Sequence, residues 1–263
     1  MEDISALDAI PLWAFFVLAF LLVLLSIEGG YRLGRYRLTS SEHEKEAPVG
    51  AMVAAMLGLL AFILAFTFGL AAQRFDTRRQ VLLDEANAIG TTYLRTAMLP
   101  ERGEEIRSLL RQYVDVRLET FKSNQLSEGI RRSEALQNEM WSEAVDLGQK
   151  NPSSIVVGLF VQSLNELIDL HAKRVAAGVR NRIPGPIWLA LFSVAALALG
   201  AMGYHAGLVR TRRSVAIIAV GLTFTAVIGL IADLDRPTEG ALKVSQQALI
   251  DAREAMKGPA QPP

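Results

Sequence analysis

Twenty-four consecutive residues without a charged side chain, Val49 to Ala72, constrain this chain more than any other stretch. As an α-helix rising about 1.5 Å per residue, the run crosses the ~30 Å hydrocarbon core of a bilayer. Gly50, Ala54, Gly58, Ala61, Ala65 and Gly69 fall on one face of that helix. Such a face lets a second helix approach closely in lipid, where packing rather than the hydrophobic effect drives association. About a quarter-turn away lie Leu59, Phe62, Phe66 and Gln73. Past Arg74 the pattern stays helical and turns amphipathic through Val81-Leu82-Leu83-Asp84-Glu85-Ala86-Asn87. One helix is therefore predicted to join the membrane part to the polar part.

Three further apolar runs have the same character. Residues 10–27 follow an acidic start (Glu2, Asp3, Asp8) and carry Trp13 as an interfacial anchor. A basic start and a small-residue cleavage site are missing, so this run reads as a retained span rather than a signal peptide. Glu28-Gly29-Gly30 is predicted to end it. Residues 187–209 hold Ala196, Gly200 and a Gly203-x-x-x-Gly207 pair, and residues 215–232 hold Gly221, Thr225 and Gly229 at fourth positions. The prediction is an all-α integral membrane protein with four transmembrane helices, 10–27, 49–72, 187–209 and 215–232, arranged as two hairpins.

Residues 73–183 form a polar helical segment inserted between the hairpins. Leu82, Ala86, Ile89 and Tyr93 make one apolar stripe; Ile106, Leu110, Tyr113, with Val116 or Arg117, make another. Asn151-Pro152-Ser153-Ser154 is a helix start signal, and Ile183-Pro184-Gly185-Pro186 ends the segment. No run alternates with the period of two that a half-buried strand requires. Residues 239–257 read as a weakly amphipathic C-terminal helix and 258–263 as a disordered tail. The chain has no cysteine, which excludes disulfides and thiolate chemistry. Lys plus Arg and Asp plus Glu balance at 27 each, so no charge bias points to nucleic acid as a partner.

An even number of spans puts both termini and the helical segment on one side of the membrane. Arg32, Arg35, Arg37, Arg210, Arg212 and Arg213 lie on short connections and favour the cytoplasmic side for those. Arg74, Arg78, Arg79, Lys173, Arg174, Arg180 and Arg182 flank the opposite side as closely. Charge leaves the side open.

Several segments recur together: Glu28-Gly29-Gly30-Tyr31-Arg32-Leu33-Gly34, Asp84-Glu85-Ala86-Asn87-Ala88-Ile89-Gly90-Thr91, Asn165-Glu166-Leu167-Ile168-Asp169-Leu170-His171, Arg180-Asn181-Arg182-Ile183-Pro184 and Ala232-Asp233-Leu234-Asp235-Arg236-Pro237-x-x-Gly240. Over essentially the whole chain this set resembles a family of mostly bacterial membrane proteins called bestrophin-like. The resemblance implies a bacterial cytoplasmic membrane location and supplies no catalytic residue. By architecture it extends to the bestrophins, pentameric anion channels with four spans and a helical domain between the second and third. That likeness is an analogy of layout, and it would place the helical segment and both termini in the cytosol.

Candidate sites carry two readings each. Phe62 and Phe66, one turn apart, either line an apolar pore neck with Gln73 at its mouth or face lipid or a neighbouring helix, the commoner role for phenylalanine in a span. No Asp, Glu, Lys, Arg or His lies mid-span, which argues against a coupled transporter. Glu166 and His171 sit roughly 140° apart on a helix, so they do not form the paired ligands of a di-iron bundle. The expectation is no catalytic site, no metal and no cofactor. Asp84, Glu85, Glu166, Asp169, Arg180, Arg182, Asp233, Asp235 and Arg236 are instead expected in a polar network at the membrane edge, with Asp84 and Glu85 facing Arg180 and Arg182. Its functional alternative is an ion-attracting vestibule.

Two functions follow. One is a homo-oligomeric channel for small inorganic ions in the lipid bilayer, with the second span lining the pore. The other is a non-conducting membrane scaffold or sensor whose helical segment binds a protein partner.

Overall fold

A computed structural model of the chain describes residues 10–39, 46–99, 101–123, 125–210, 215–237 and 240–257. Every regular element among these is helical: α1 (Leu12–Thr39), α2 (Glu46–Thr96), α3 (Gly103–Ser123), α4 (Leu126–Lys150), α5 (Ile155–Val175), α6 (Gly185–Leu208), α7 (Val215–Asp235) and α8 (Gln247–Ala255). A π-helical turn, Ala176–Arg180, continues α5. The chain divides into two compact units, Met1–Phe75 with Arg182–Leu242, and Asp76–Asn181 with Lys243–Pro263.

In the first unit α1 does not stop at Glu28-Gly29-Gly30; it runs on to Thr39. The glycines are packing points rather than breakers. A Cβ on Gly30 would lie 1.9 Å from the Gly200 carbonyl oxygen, and one on Gly34 would lie 2.2 Å from that of Tyr204. From the other side, a Cβ on Gly203 would meet the Ile27 carbonyl at 2.1 Å, and one on Gly207 that of Tyr31 at 2.5 Å. Backbone therefore lies on backbone where α1 crosses α6, the geometry that small residues permit between membrane helices. Accordingly α1 packs extensively on α6 and also on α7. The core between them includes Phe15, Val23, Leu60, Leu64, Leu191, Leu199 and Ile231, with Phe15 edge-on to Trp188 at 5.4 Å.

The second unit is built from the C-terminal part of α2 with α3, α4, α5 and α8. Gly129 lets α4 approach α3, since a Cβ there would overlap Thr120 Oγ1 at 1.9 Å. Ser154 is the residue of the start signal that caps α5, its hydroxyl accepting from the Val157 N–H at 3.3 Å. Ile89, Leu110, Met140, Phe160, Leu164 and Leu167 are fully buried together.

Among the described residues, five helical stretches are long and apolar enough to cross a bilayer: Leu12–Leu38, Pro48–Thr96, Ile155–Gly178, Gly185–Leu208 and Ala216–Asp235. The additional one is α5, whose Val157, Phe160, Leu164 and Leu167 make it apolar by filling the second unit's core.

The C-terminal helix is shorter than residues 239–257. Gly240 takes a positive φ of +99°, residues 242–246 have no regular structure, and α8 begins at Gln247. Once formed, α8 is fixed by buried Leu249 and Met256, by the Tyr93 hydroxyl donating to the Met256 carbonyl at 2.8 Å, and by Arg253 against Asp115 at 2.5 Å. The expected tail at 258–263, the acidic start and Arg212 and Arg213 lie outside the described residues.

Candidate functional site

Three features hold the candidate residues. The first is the outward surface of α2. Leu60, Leu64, Thr67 and Ala71 recur at helical spacing and are buried in the first unit. Phe62 and Phe66 are 68% and 65% exposed, an unusual state for phenylalanine in a chain surrounded by water but a natural one facing lipid, a pore or a second subunit. Gln73 is exposed one helical phase further on. Of the small-residue face, Ala54, Ala61 and Ala65 are exposed, and Gly58 and Gly69 have no atom within 4 Å of where a Cβ would stand. Gly50 alone is covered, 3.1 Å from His205 Nε2 by the same measure. Most of the face that invites a close helix contact is thus unfilled by the described residues.

The second feature closes the first unit at the end of α7. Asp235 accepts from the Ile183 N–H at 3.1 Å and lies 3.7 Å from Arg182 and 3.9 Å from Arg74. Arg182 also donates to the Asp235 carbonyl. Two residues earlier, the Asp233 carboxylate accepts from the Ala241 N–H at 3.0 Å. That folded-back turn requires Gly240, whose Cβ would fall 1.6 Å from Asp233 Oδ1. Arg236 donates to the Ile10 carbonyl at 2.7 Å and sits over the Phe15 ring. Buried Asp233, Asp235 and Arg236 therefore form a structural clasp that ties the end of α7 to the start of α1 and to residues 182–183.

The third feature is a buried ionic cluster in the second unit, centred on Glu85, which is wholly inaccessible to solvent. Arg174 Nη1 stands 2.5 Å from its Oε2, Arg117 Nε lies 3.4 Å from Oε1, and the Tyr113 hydroxyl donates to Oε1 at 2.6 Å. His171 Nδ1 is 3.0 Å from that hydroxyl, and Arg174 also donates to Gln246 Oε1 at 2.9 Å, which anchors the segment entering α8. Burial pushes the Glu85 carboxyl upward, but the charges of Arg174 and Arg117 and the hydrogen bonds outweigh it and hold it well below the usual carboxylate range. The Tyr113 hydroxyl is driven well above its ordinary value, by burial first and by the Glu85 charge next. The cluster stays ionised as one carboxylate facing two guanidiniums, with a neutral phenol bridging to the imidazole.

Of the residues expected to face one another, Glu85, Asp84 and Arg182 can be placed within their own units. Glu85 finds Arg174 and Arg117 within its unit, and Arg182 finds Asp235 within the other. Asp84, one residue from Glu85, is on the surface side and takes a hydrogen bond from Gln80 at 3.0 Å. Glu166 and Asp169 are exposed, Asp169 accepting from Asn165 at 3.4 Å, so they stand outside the network. The Arg180 side chain lies outside the described residues. Tyr113, Arg117 and Arg174 are the partners that sequence reasoning missed. The signal was present: Glu85 lies between Leu82 and Ile89 on the stripe that α2 buries, and Arg117 follows Tyr113 by one turn.

A family model for the bestrophin-like domain matches residues 14–249. No curated protein matches in sequence. Among solved structures, a crystal structure of a bacterial bestrophin homologue from Klebsiella pneumoniae carrying one substitution aligns over 92% of this chain and 97% of its own, at a TM-score of 0.65 and 17% identity. A second variant of that homologue aligns over the same shares at a TM-score of 0.67 and 18% identity. A crystal structure described as a membrane protein reaches 0.67 at 17% identity, again over 92% and 97%. These likenesses extend over nearly the full length of both chains and concern the fold. With several apolar helices of membrane-spanning length and a family match over residues 14–249, this chain is an integral membrane protein that belongs to the bestrophin-like family.

Proposed function

We propose that the protein is a homo-oligomeric channel for small inorganic ions, with α2 lining the pore. The observation that carries this reading is the pair of exposed rings at Phe62 and Phe66 on an uncharged stretch of α2. They lie roughly 150° round the helix from the face that α2 buries, with the exposed small residues between. An axis can then take the rings while a neighbouring subunit takes Ala54, Gly58, Ala61, Ala65 and Gly69. Apolar rings of this kind form a constriction that gates by dewetting. Gln73 stands at its mouth.

In this reading the spans are residues 10–27, 49–72, 187–209 and 215–232, crossing a bacterial cytoplasmic membrane as two hairpins. Residues 73–183 form a helical domain outside the bilayer, on the same side as both termini. The helix α5 belongs to that domain, because it carries Glu166, Asp169, Lys173 and Arg174 and already spends its apolar face on the second unit's core. The family likeness supports a pentamer.

Purified protein reconstituted in planar bilayers should pass ion current that Phe62→Ala or Phe66→Ala alters. A monomer or dimer without conductance would overturn the reading. Silent bilayers, together with one stoichiometric protein partner recovered by crosslinking, would favour a scaffold instead.

A further inference from the structure

The C-terminal end of α1 carries charge that neither the pore nor the clasp uses. Trp13 and Tyr36 are both exposed on this helix and stand 23 residues apart, about 34 Å along its axis. That separation matches the two interfacial belts of a bilayer, where amphipathic rings settle. Arg32 and Arg35 lie within one turn of Tyr36, and their long stems carry the guanidiniums to the level of the lipid phosphates. The back of this segment is fixed, because Gly30 and Gly34 lie against the α6 backbone at Gly200 and Tyr204. Its outward side is exposed: Leu18, Leu21 and Leu25, then Gly29, then Arg32, Leu33 and Tyr36. These seven positions fall within roughly 120° of the helix circumference and make one strip.

The charge at this end is unbalanced. Glu28 holds Arg32 Nε at 2.7 Å, and it is the only carboxylate side chain described at this end of the unit. The two terminal nitrogens of Arg32 donate to nothing among the described residues, and Arg35 and Arg37 are exposed with no ion pair among them. A guanidinium presents paired N–H donors that match two oxygens of a phosphate. Beside Arg32 the surface is notched: Gly29 has no atom within 4 Å of where a Cβ would stand, while Leu25 and Leu33 are exposed one turn to either side. Exposed leucines for an acyl chain, a notch at the glycerol level and a fork for phosphate thus follow one another along the strip. A soluble anion would use the fork and leave the leucines uncovered. We infer that this strip of α1 binds an anionic phospholipid, its phosphate on Arg32 with Arg35 beside it, its glycerol at Gly29 and one chain along Leu18, Leu21 and Leu25. The site requires that α1 cross the bilayer, and it stands whether or not the protein conducts.

The test reconstitutes the full-length protein in nanodiscs of equimolar phosphatidylglycerol and phosphatidylcholine with matched acyl chains. The lipids it keeps on release are then counted by native mass spectrometry. Phosphatidylglycerol should be retained over phosphatidylcholine by about fivefold or more, the factor that one arginine near a membrane surface supplies. Arg32→Gln should lower that preference about fivefold, and Glu28→Gln should raise it. Exposed Arg131→Gln, on α4, should leave it unchanged. Gly29→Leu keeps every charge but fills the notch, so it should also lower the preference, which attraction by charge alone would not. Excess inorganic phosphate should not displace the lipid, because it has no chain to lay on the leucines. Circular dichroism establishes that each variant keeps its helices. The inference is overturned if the two lipids are retained equally, or if Arg32→Gln has no more effect than Arg131→Gln. It is overturned equally if Glu28→Gln fails to raise the preference, if Gly29→Leu leaves it unchanged, or if inorganic phosphate displaces the lipid.

Discussion

Tyr113 and Glu85, on α3 and α2, meet through a 2.6 Å hydrogen bond with neither side chain accessible to solvent. The phenol supplies a neutral donor to a carboxylate otherwise held by guanidiniums, and its oxygen in turn lies 3.0 Å from His171 Nδ1. The bond thus joins the acid to the imidazole, and the second unit's core is organised around a charge rather than around apolar contacts alone.

Removing that charge should be expensive. Glu85→Gln leaves Arg117 and Arg174 buried without their counter-ion, and loss of about 3–5 kcal/mol is expected for such a broken buried pair. Tyr113→Phe should cost less, about 1–3 kcal/mol, because it orphans hydrogen-bonding groups but no charge. Denaturant unfolding of the detergent-solubilised protein, followed by helical circular dichroism, measures both.

The same residue sets an acid sensitivity. The Glu85 carboxyl is lowered in the folded state, so its ionisation adds stability that is fully present above the unfolded carboxylate value of about 4.3. That contribution declines as pH falls below this value towards the folded one. The stability gap between the natural protein and Glu85→Gln should be widest near neutrality and should narrow below about pH 4. A gap that stays constant into acid would show that Glu85 is not the ionised centre.

Adjacent glycines on α1 should respond oppositely. Gly30→Ala puts a methyl group into the Gly200 carbonyl and should cost about 1–3 kcal/mol or dislodge α1 from α6. Gly29 has open space around it, so Gly29→Ala should be neutral or stabilising by roughly 0.5–1 kcal/mol through helix propensity. Unfolding in mixed micelles of rising SDS fraction separates the two.

Gly240→Ala should be strongly destabilising for two independent reasons, a positive φ and a collision with Asp233. A thermal-shift measurement should place it well below the natural protein. Asp233→Ala in the same background should recover part of the loss by clearing the carboxylate. No recovery would mean that the backbone angle alone carries the cost.

Phe62→Ala and Phe66→Ala should leave the stability of the folded chain within about 0.5 kcal/mol, since both rings are mostly exposed in it. Any change in current is then a property of the pore or of subunit assembly, which crosslinking resolves.

Much of this was legible in the sequence because hydrophobic period and length are local properties. The all-helical fold, the continuity of α2 past Ala72, and the Gly203–Gly207 packing pair could be read directly. Gly29-Gly30 could not: in isolation two glycines after a glutamate end a helix, and only the arrival of Gly200 and Gly203 makes that pair an asset. The partners of Glu85 were hidden for a related reason. A carboxylate on an apolar stripe announces that it needs a cation, but Arg117 and Arg174 lie 32 and 89 positions away, and nothing in a single sequence ranks them above Arg180 and Arg182. Length and hydropathy do not separate a span from a core helix where core and membrane share a composition, since α5 is apolar enough for either.

The crossing of α1 and α6 has a mechanical consequence. Side chains that interlock adapt by changing rotamer, but at Gly30, Gly34, Gly203 and Gly207 there is nothing to rotate. Forming that joint costs no side-chain entropy, and once formed it has no alternative packing to slip into. Backbone contact of this kind resists sliding of α1 on α6 and favours their moving as one piece. Any opening movement in the first unit is left to the surfaces where flexible side chains, those of α2 and α7, meet that piece.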